Sequence, residues 1–182
     1  MFWFFLFFLG EWHKRFIKLS KLQLVKIKQH REIPAEQKIK SCTISLSASG
    51  KYFISILTEY EKKIKNKKIE RIVGLDFAMD GLFVESETGK KANYPRFYRQ
   101  MLHTLAIEQR KLSRKKKGSA NWQKQRMRVA KINEKIANQR KNFLQHQSKE
   151  LATTFDAVVI EDLDMKAMSQ ALKFGKSVAD NG

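Results

Sequence analysis

The sequence predicts a mixed α/β fold with a long basic helical hairpin set between its strands. Three observations carry this. Two short apolar runs, Ile72–Phe77 and Ala157–Ile160, close on the carboxylates Asp76 and Glu161. Between them, from Phe97 to Leu151, the apolar period becomes helical. Upstream, alternating runs with glycine-containing turns read as antiparallel strands.

The chain opens on Met1–Leu9, which is apolar throughout and rich in Phe. It falls short of the roughly 20 residues that cross a bilayer, and it has neither the basic start nor the cleavage site of a signal peptide. It reads as a buried strand or as a fortuitous start, in which a shifted or interrupted frame joins an older one near Glu11–Phe16. The second reading is preferred for want of turn or helix punctuation, so residues 1–16 are left unassigned.

Residues 17–60 read as extended chain. Leu24–Lys28 is a short β-like run, and Pro34 then interrupts the chain. Cys42, Ile44 and Leu46 alternate with polar residues, and Tyr52, Ile54 and Ile56 form the apolar set of a second run. The small polar link Ser47–Lys51, with Gly50, suits a hairpin loop. Residues 61–70, rich in Lys and Glu, read as an exposed linker. In 71–182, Asp80-Gly81 signals a hairpin between Ile72–Phe77 and Leu82–Ser86, and a third strand is expected over Lys90–Tyr94, stopped by Pro95. Leu102, Leu105 and Leu112 mark one helix; Val129, Ile132, Ile136 and Phe143 mark the next. Gly118 and Ser119 supply a stop and a cap between them, giving a helical hairpin over 97–151.

Charge narrows the function classes. The formal net charge is +19, which points to a polyanion: nucleic acid or an anionic membrane surface. The less favoured alternative on charge alone is a solvated basic surface or a ribosome-type structural protein. The distribution favours nucleic acid. From Arg96 to Lys149 there are 16 Lys and Arg against two acids, Glu108 and Glu134, an excess of 14. A solvated helix face mixes signs for i,i+4 pairing; a face of one sign repels itself unless a polyanion lies on it. The expected contact residues are Arg110, Lys111, Arg114, Lys115, Lys116, Lys117, Lys124, Arg126, Arg128, Lys131, Lys135 and Arg140. Trp122 and Phe143 are able to stack on bases, but their place on apolar stripes assigns them to the core. A single cysteine, Cys42, excludes an internal disulfide and any multi-cysteine zinc site within these residues, and suits a reducing compartment.

The chemistry sits at the strand ends. A carboxylate closing a buried strand is costly unless paired or bound to a metal. If the two apolar strands are neighbours, Asp76 and Glu161 converge as hard oxygen ligands suited to Mg²⁺ or Mn²⁺. Taken singly, each is more commonly an ordinary strand-end or turn residue. Asp162 and Asp164 are weaker candidates that cap the next loop or helix. The four histidines, His13, His30, His103 and His146, are too scattered to suggest a rival site.

An ordered set of motifs resembles the TnpB/OrfB family of transposon proteins. Gly74-Leu75-Asp76-Phe77 with Leu82-Phe83-Val84 is similar to its first RuvC motif. Gln109–Lys115, Gly118-Ser119, Ala130-Lys131, Lys135–Arg140 and Phe143-Leu144 resemble its basic helical segment. Ile160–Leu163, Lys166–Met168 and Ser177–Asp180 resemble its second motif and the segment after it. The resemblance covers about residues 70–182, and Ile17–Tyr60 is similar to the end of the β-rich wedge domain that precedes it. It implies an RNase H-like (RuvC-like) fold, a guide RNA, DNA as target, and metal-dependent cleavage with Asp76 and Glu161 as the first two catalytic carboxylates. The family pattern continues into a four-cysteine zinc ribbon and a third catalytic Asp that residues 1–182 do not contain, so a truncated nuclease, inactive alone, is expected. A non-catalytic basic nucleic-acid-binding remnant is the alternative. No membrane role is expected, and the location implied is cytoplasmic, with the nucleoid.

Overall fold

The structure, a computed structural model, describes residues 2–6, 12–13, 16–19, 23–63, 68–78, 81–164 and Ala167. The expected motifs over 166 and 168–180, and Asp80 of the turn, lie outside the described residues. The chain forms two compact units, Met1–Lys65 and Asn66–Gly182, divided within the stretch read as a linker.

Among the described residues the first unit holds two three-stranded antiparallel sheets. One has the order β1-β5-β6, from Phe2–Leu6, Lys38–Leu46 and Tyr52–Glu59. The other runs β2-β3-β4, from Trp12–His13, Phe16–Leu19 and Gln23–Lys26. The opening apolar stretch, left unassigned from sequence, therefore contains a strand, with Phe2 opposite Leu46 and Leu6 opposite Cys42. Alternation along β5 turns Cys42 and Ile44 inward. Ile17 and Cys42 are fully buried, with Val25, Ile27, Ile44, Ile54 and Ile56 packed around them. Burial pushes the Cys42 thiol up. The β5–β6 loop closes as a hairpin: the Gly50 N–H donates to the Ser47 carbonyl at 3.0 Å, and Gly50 takes φ 82°, a left-handed value that favours glycine. Tyr52 departs from its expected place inside; at the very start of β6 it is 75% exposed.

In the second unit, β7 (Ile72–Phe77) pairs antiparallel with β8 (Phe83–Glu85) and parallel with β9 (Ala157–Ile160), giving the order β8-β7-β9. This is a mixed sheet. The third strand expected over Lys90–Tyr94 reduces to a single bridge between Val84 and Lys91, because β8 is only three residues long and offers little more to pair with. Ala92 and Tyr94 beside it are buried all the same.

Between β8 and β9 the chain makes α1 (Phe97–Ser113) and α2 (Ala120–Thr154). Ser119 caps α2, its hydroxyl accepting the Trp122 N–H at 3.2 Å, and Gly118 turns the chain with φ 84°. A cap of this kind contributes about 1 kcal/mol. Leu105 and Ile136 are the buried apolar anchors of the hairpin. Phe143 packs edge-on to Tyr94 and Phe97, with ring centroids 5.2 and 6.2 Å away, so it belongs to the core.

A polar clasp crosses the hairpin. Gln125, 3% exposed, donates through Nε2 to the Glu108 carbonyl at 3.1 Å and to its carboxylate at 2.6 Å. Lys111 donates to the other carboxylate oxygen at 2.6 Å. These bonds, the one from Lys111 foremost, hold the Glu108 carboxyl below its ordinary value. A depressed carboxyl stabilises the fold above its unfolded pKa, and that contribution is lost as pH falls through the folded one. The hairpin should therefore lose stability in acid, below about pH 4, and Glu108→Gln should remove that dependence. Gln125→Ala should cost about 1–3 kcal/mol at neutral pH. Thermal melts followed by helical circular dichroism across pH check both.

Candidate functional site

β7 is the middle strand, and its burial is one-sided: Val73 is 1% exposed, whereas Asp76 points to solvent. Gly74 fixes the strand against Ser86, the residue just after β8. Its N–H donates to the Ser86 hydroxyl at 3.0 Å, and the Ser86 N–H returns a bond to the Gly74 carbonyl at 2.9 Å. A Cβ on Gly74 would lie 3.1 Å from the Ser86 Oγ, so the bare glycine makes this contact possible.

β9 runs parallel to β7 with Ile72 opposite Ala157 and Leu75 opposite Ile160. One step further along the same register stand Asp76, still within β7 opposite Val84, and Glu161, the residue just after β9. Both line a cleft of about 330 Å³, together with Leu75, Phe77, Leu82, Ile160 and Leu163. Asp162, read from sequence as a strand-exit residue, lines the same cleft. Asp164 has a different occupation: its Oδ1 accepts the Ala167 N–H at 2.9 Å, as a cap does.

One expectation is corrected. Sequence reasoning treated the acids as closing buried strands. Both carboxylates are exposed, and β9 is open to solvent, with Val159 59% and Ile160 71% exposed. Desolvation therefore does not force a partner on either acid. Among the described residues no group of three or more His, Cys, Asp or Glu is gathered to hold a metal ion. The oxygen donors of the cleft nonetheless fit a hydrated Mg²⁺ or Mn²⁺, which keeps several waters and takes one or two carboxylates.

The basic residues spread along the hairpin. Arg110, Lys111, Arg114, Lys116, Lys117, Lys124, Arg126, Arg128, Lys131 and Lys135 are exposed, and Lys115 is half-buried. Lys111 is shared with Glu108, and the Arg126 guanidinium lies 5.7 Å from the centre of the Trp122 ring. Arg140 differs from the others: it is half-buried and lines a groove of about 600 Å³ between α2 and β8, beside Leu144 and Leu151. With Leu82 and Phe83 across the groove, it stands on the side of α2 that meets the sheet. No helix of the described residues is long and apolar enough to cross a membrane.

Sequence reasoning missed Asp156, whose Oδ2 accepts the N–H groups of Glu70 and Arg71 at 3.2 and 3.0 Å. The one signal in the sequence was an acid directly ahead of an apolar run, which is common at strand starts.

Comparison with known proteins gives three likenesses. The family OrfB_IS605, described as "Probable transposase", matches residues 55–172. A protein of Streptomyces pristinaespiralis named "Putative RNA-guided DNA endonuclease" is 31% identical over 170 residues, 93% of this chain and 42% of that protein. One of Escherichia coli (strain K12), whose name adds InsQ, is 33% identical over 155 residues, 85% of this chain and 38% of its own length. The chain thus spans about two fifths of the length of these curated relatives.

Proposed function

Since the chain belongs to the OrfB_IS605 transposase family, we propose that its residues form the nucleic-acid-binding hairpin and the first two carboxylate ligands of an RNA-guided DNA endonuclease. The observation that supports the reading is the parallel β7–β9 register, Leu75 opposite Ile160, whose next step along both strands is Asp76 and Glu161. In this reading the second unit is part of an RNase H-like (RuvC-like) domain, and the first is part of a β-rich wedge domain. DNA and a guide RNA are the partners, and the nucleoid is the place of action.

Each part of the chain has a physical task. The exposed cations of α1, α2 and the loop between them neutralise phosphates and hold the strand near the sheet. Asp76 and Glu161 would hold Mg²⁺ or Mn²⁺ through carboxylate oxygens. A bound ion of this kind supplies Lewis acidity and an activated water for phosphodiester hydrolysis. Leu75, Phe77 and Ile160 give the cleft an apolar wall.

A second reading, a basic protein that binds nucleic acid without cutting it, draws on the absence of a three-ligand group among the described residues. One experiment separates the two. The 182-residue chain alone should leave single- and double-stranded DNA intact in Mg²⁺ or Mn²⁺, since two carboxylates hold such an ion weakly. Joined to the parts of the Escherichia coli relative that it does not span, and given that relative's guide RNA, it should cut DNA in a guide-dependent way. A folded, RNA-loaded chimera that does not cut would favour the binding reading.

A further inference from the structure

We infer that Asp156 is a positioning residue: its carboxylate sets the β7–β9 register that brings Asp76 beside Glu161. The inference rests on the two-carboxylate reading above.

The register is constant. Every paired residue of β9 lies 85 positions after its partner in β7, from Ile72 with Ala157 to Leu75 with Ile160. The same offset joins Arg71 to Asp156 where the strands begin and Asp76 to Glu161 where they end. At the beginning the two chains are tied in both directions. The Asp156 Oδ2 accepts from the N–H of Glu70 at 3.2 Å and of Arg71 at 3.0 Å. The Asp156 N–H donates back to the Arg71 carbonyl at 2.8 Å, and the Ala157 N–H reaches the same oxygen at 3.3 Å. The Arg71 guanidinium stacks 5.4 Å from the Phe155 ring centre, one residue before the clasp.

Something has to choose this register, and little else does. Parallel strands lack the tight turn that aligns a hairpin, and the whole helical hairpin separates these two. Hydrophobic patterning normally specifies pairing when one face is buried. Here Val158, Val159 and Ile160 are 39%, 59% and 71% exposed, and all are apolar, so a slipped pairing costs little in burial. A slip of one residue turns Glu161 to the opposite face. A slip of two keeps the face but moves it by about 6.6 Å along the strand, too far for a shared ion. Asp156 itself stands roughly 16 Å from the acids along the strand, so its charge is largely screened there. Its influence runs through geometry.

The test uses the full chain, isotopically labelled, with Mn²⁺ as probe. Amide broadening at Asp76 and Glu161 reports metal, and cross-strand proximity signals between Leu75 and Ile160 report register without it. In the unaltered chain both acids should broaden at one Mn²⁺ concentration; Asp76→Asn and Glu161→Gln should each weaken binding about tenfold. No effect from those two variants would remove the two-carboxylate reading, and the proximity signals would then decide the role of Asp156 alone. Asp156→Ala should lose the Leu75–Ile160 signals, weaken Mn²⁺ about tenfold and make the two strands broaden at different concentrations. Asp156→Asn keeps a side-chain carbonyl oxygen for both N–H groups and should restore binding to within threefold. Unprotected Glu70 and Arg71 amides in Asp156→Ala, with register and joint broadening intact, would overturn the inference. If Asp156→Ala fails to fold, Asp156→Asn and Asp156→Glu decide it. Asn should then hold register and metal better than Glu, whose oxygen is displaced by a methylene, and equal or better performance by Glu would overturn it.

Discussion

In the guide-loaded chimera, Asp76→Ala and Glu161→Ala should each reduce DNA cleavage by roughly a thousandfold or more, about 4 kcal/mol in barrier. Nucleic acid affinity should stay within about twofold, because the cations proposed to bind phosphate lie on the hairpin and not at the sheet end. Asp162 lines the same cleft, yet it comes after the residue that continues the β7–β9 register. Its replacement by alanine should cost less, about tenfold at most. Asp164→Ala should be milder still, since that carboxylate caps the turn at Ala167. Single-turnover cleavage rates and filter-binding affinities on the same preparations measure the split. A chimera that cuts normally with Asp76 replaced would refute the site.

Replacing Arg114, Lys115, Lys116 and Lys117 together by Glu should give the largest change in binding. Three of these four are exposed in the loop between α1 and α2, and Lys115 is half-buried. With about five phosphates neutralised, log K should fall against log salt with a slope of about −3.5 on single strands and −4.5 on duplex. Charge reversal should bring the slope near −1 and weaken binding at 0.1 M salt by roughly a hundredfold or more. Titrations of unstructured RNA and of duplex DNA at several salt concentrations give the slopes. A slope that does not move would place the binding surface on another face of the chain.

Local punctuation was the most legible part of the sequence. Gly118 and Ser119 mark the hairpin turn and its cap, and Ser47–Lys51 marks the β5–β6 loop, because each acts through the backbone of its own neighbours. Alternation placed Cys42 and Ile44 inside for the same reason. It failed at Tyr52, where the end of a strand relieves the alternation of its meaning. Asp76 and Glu161 were legible as acids closing apolar runs, but their shared end depends on a pairing 85 positions apart in sequence. No local pattern carries that offset. The residues that tie distant segments, Asp156 to Arg71 and Gln125 to Glu108, were invisible for the same reason. Arg140 shows the converse limit: a count of charges along a helix does not say which of them faces inward.

The open strand β9 has a consequence for how the chain behaves in solution. Among the described residues it pairs on one side only, with β7. Among the described residues no strand lies on its other side, where Val159 and Ile160 are exposed, and an open strand edge of that kind recruits a second strand. At low ionic strength a net charge of +19 keeps copies apart. Raising salt from 0.1 to 1 M shortens the screening length from about 10 to about 3 Å, while the edge itself is unchanged. Salt that would release nucleic acid from the proposed hairpin surface would thus also lower the charge barrier between copies. Colloidal stability and nucleic acid release should therefore pull in opposite directions, with light scattering rising as salt is raised.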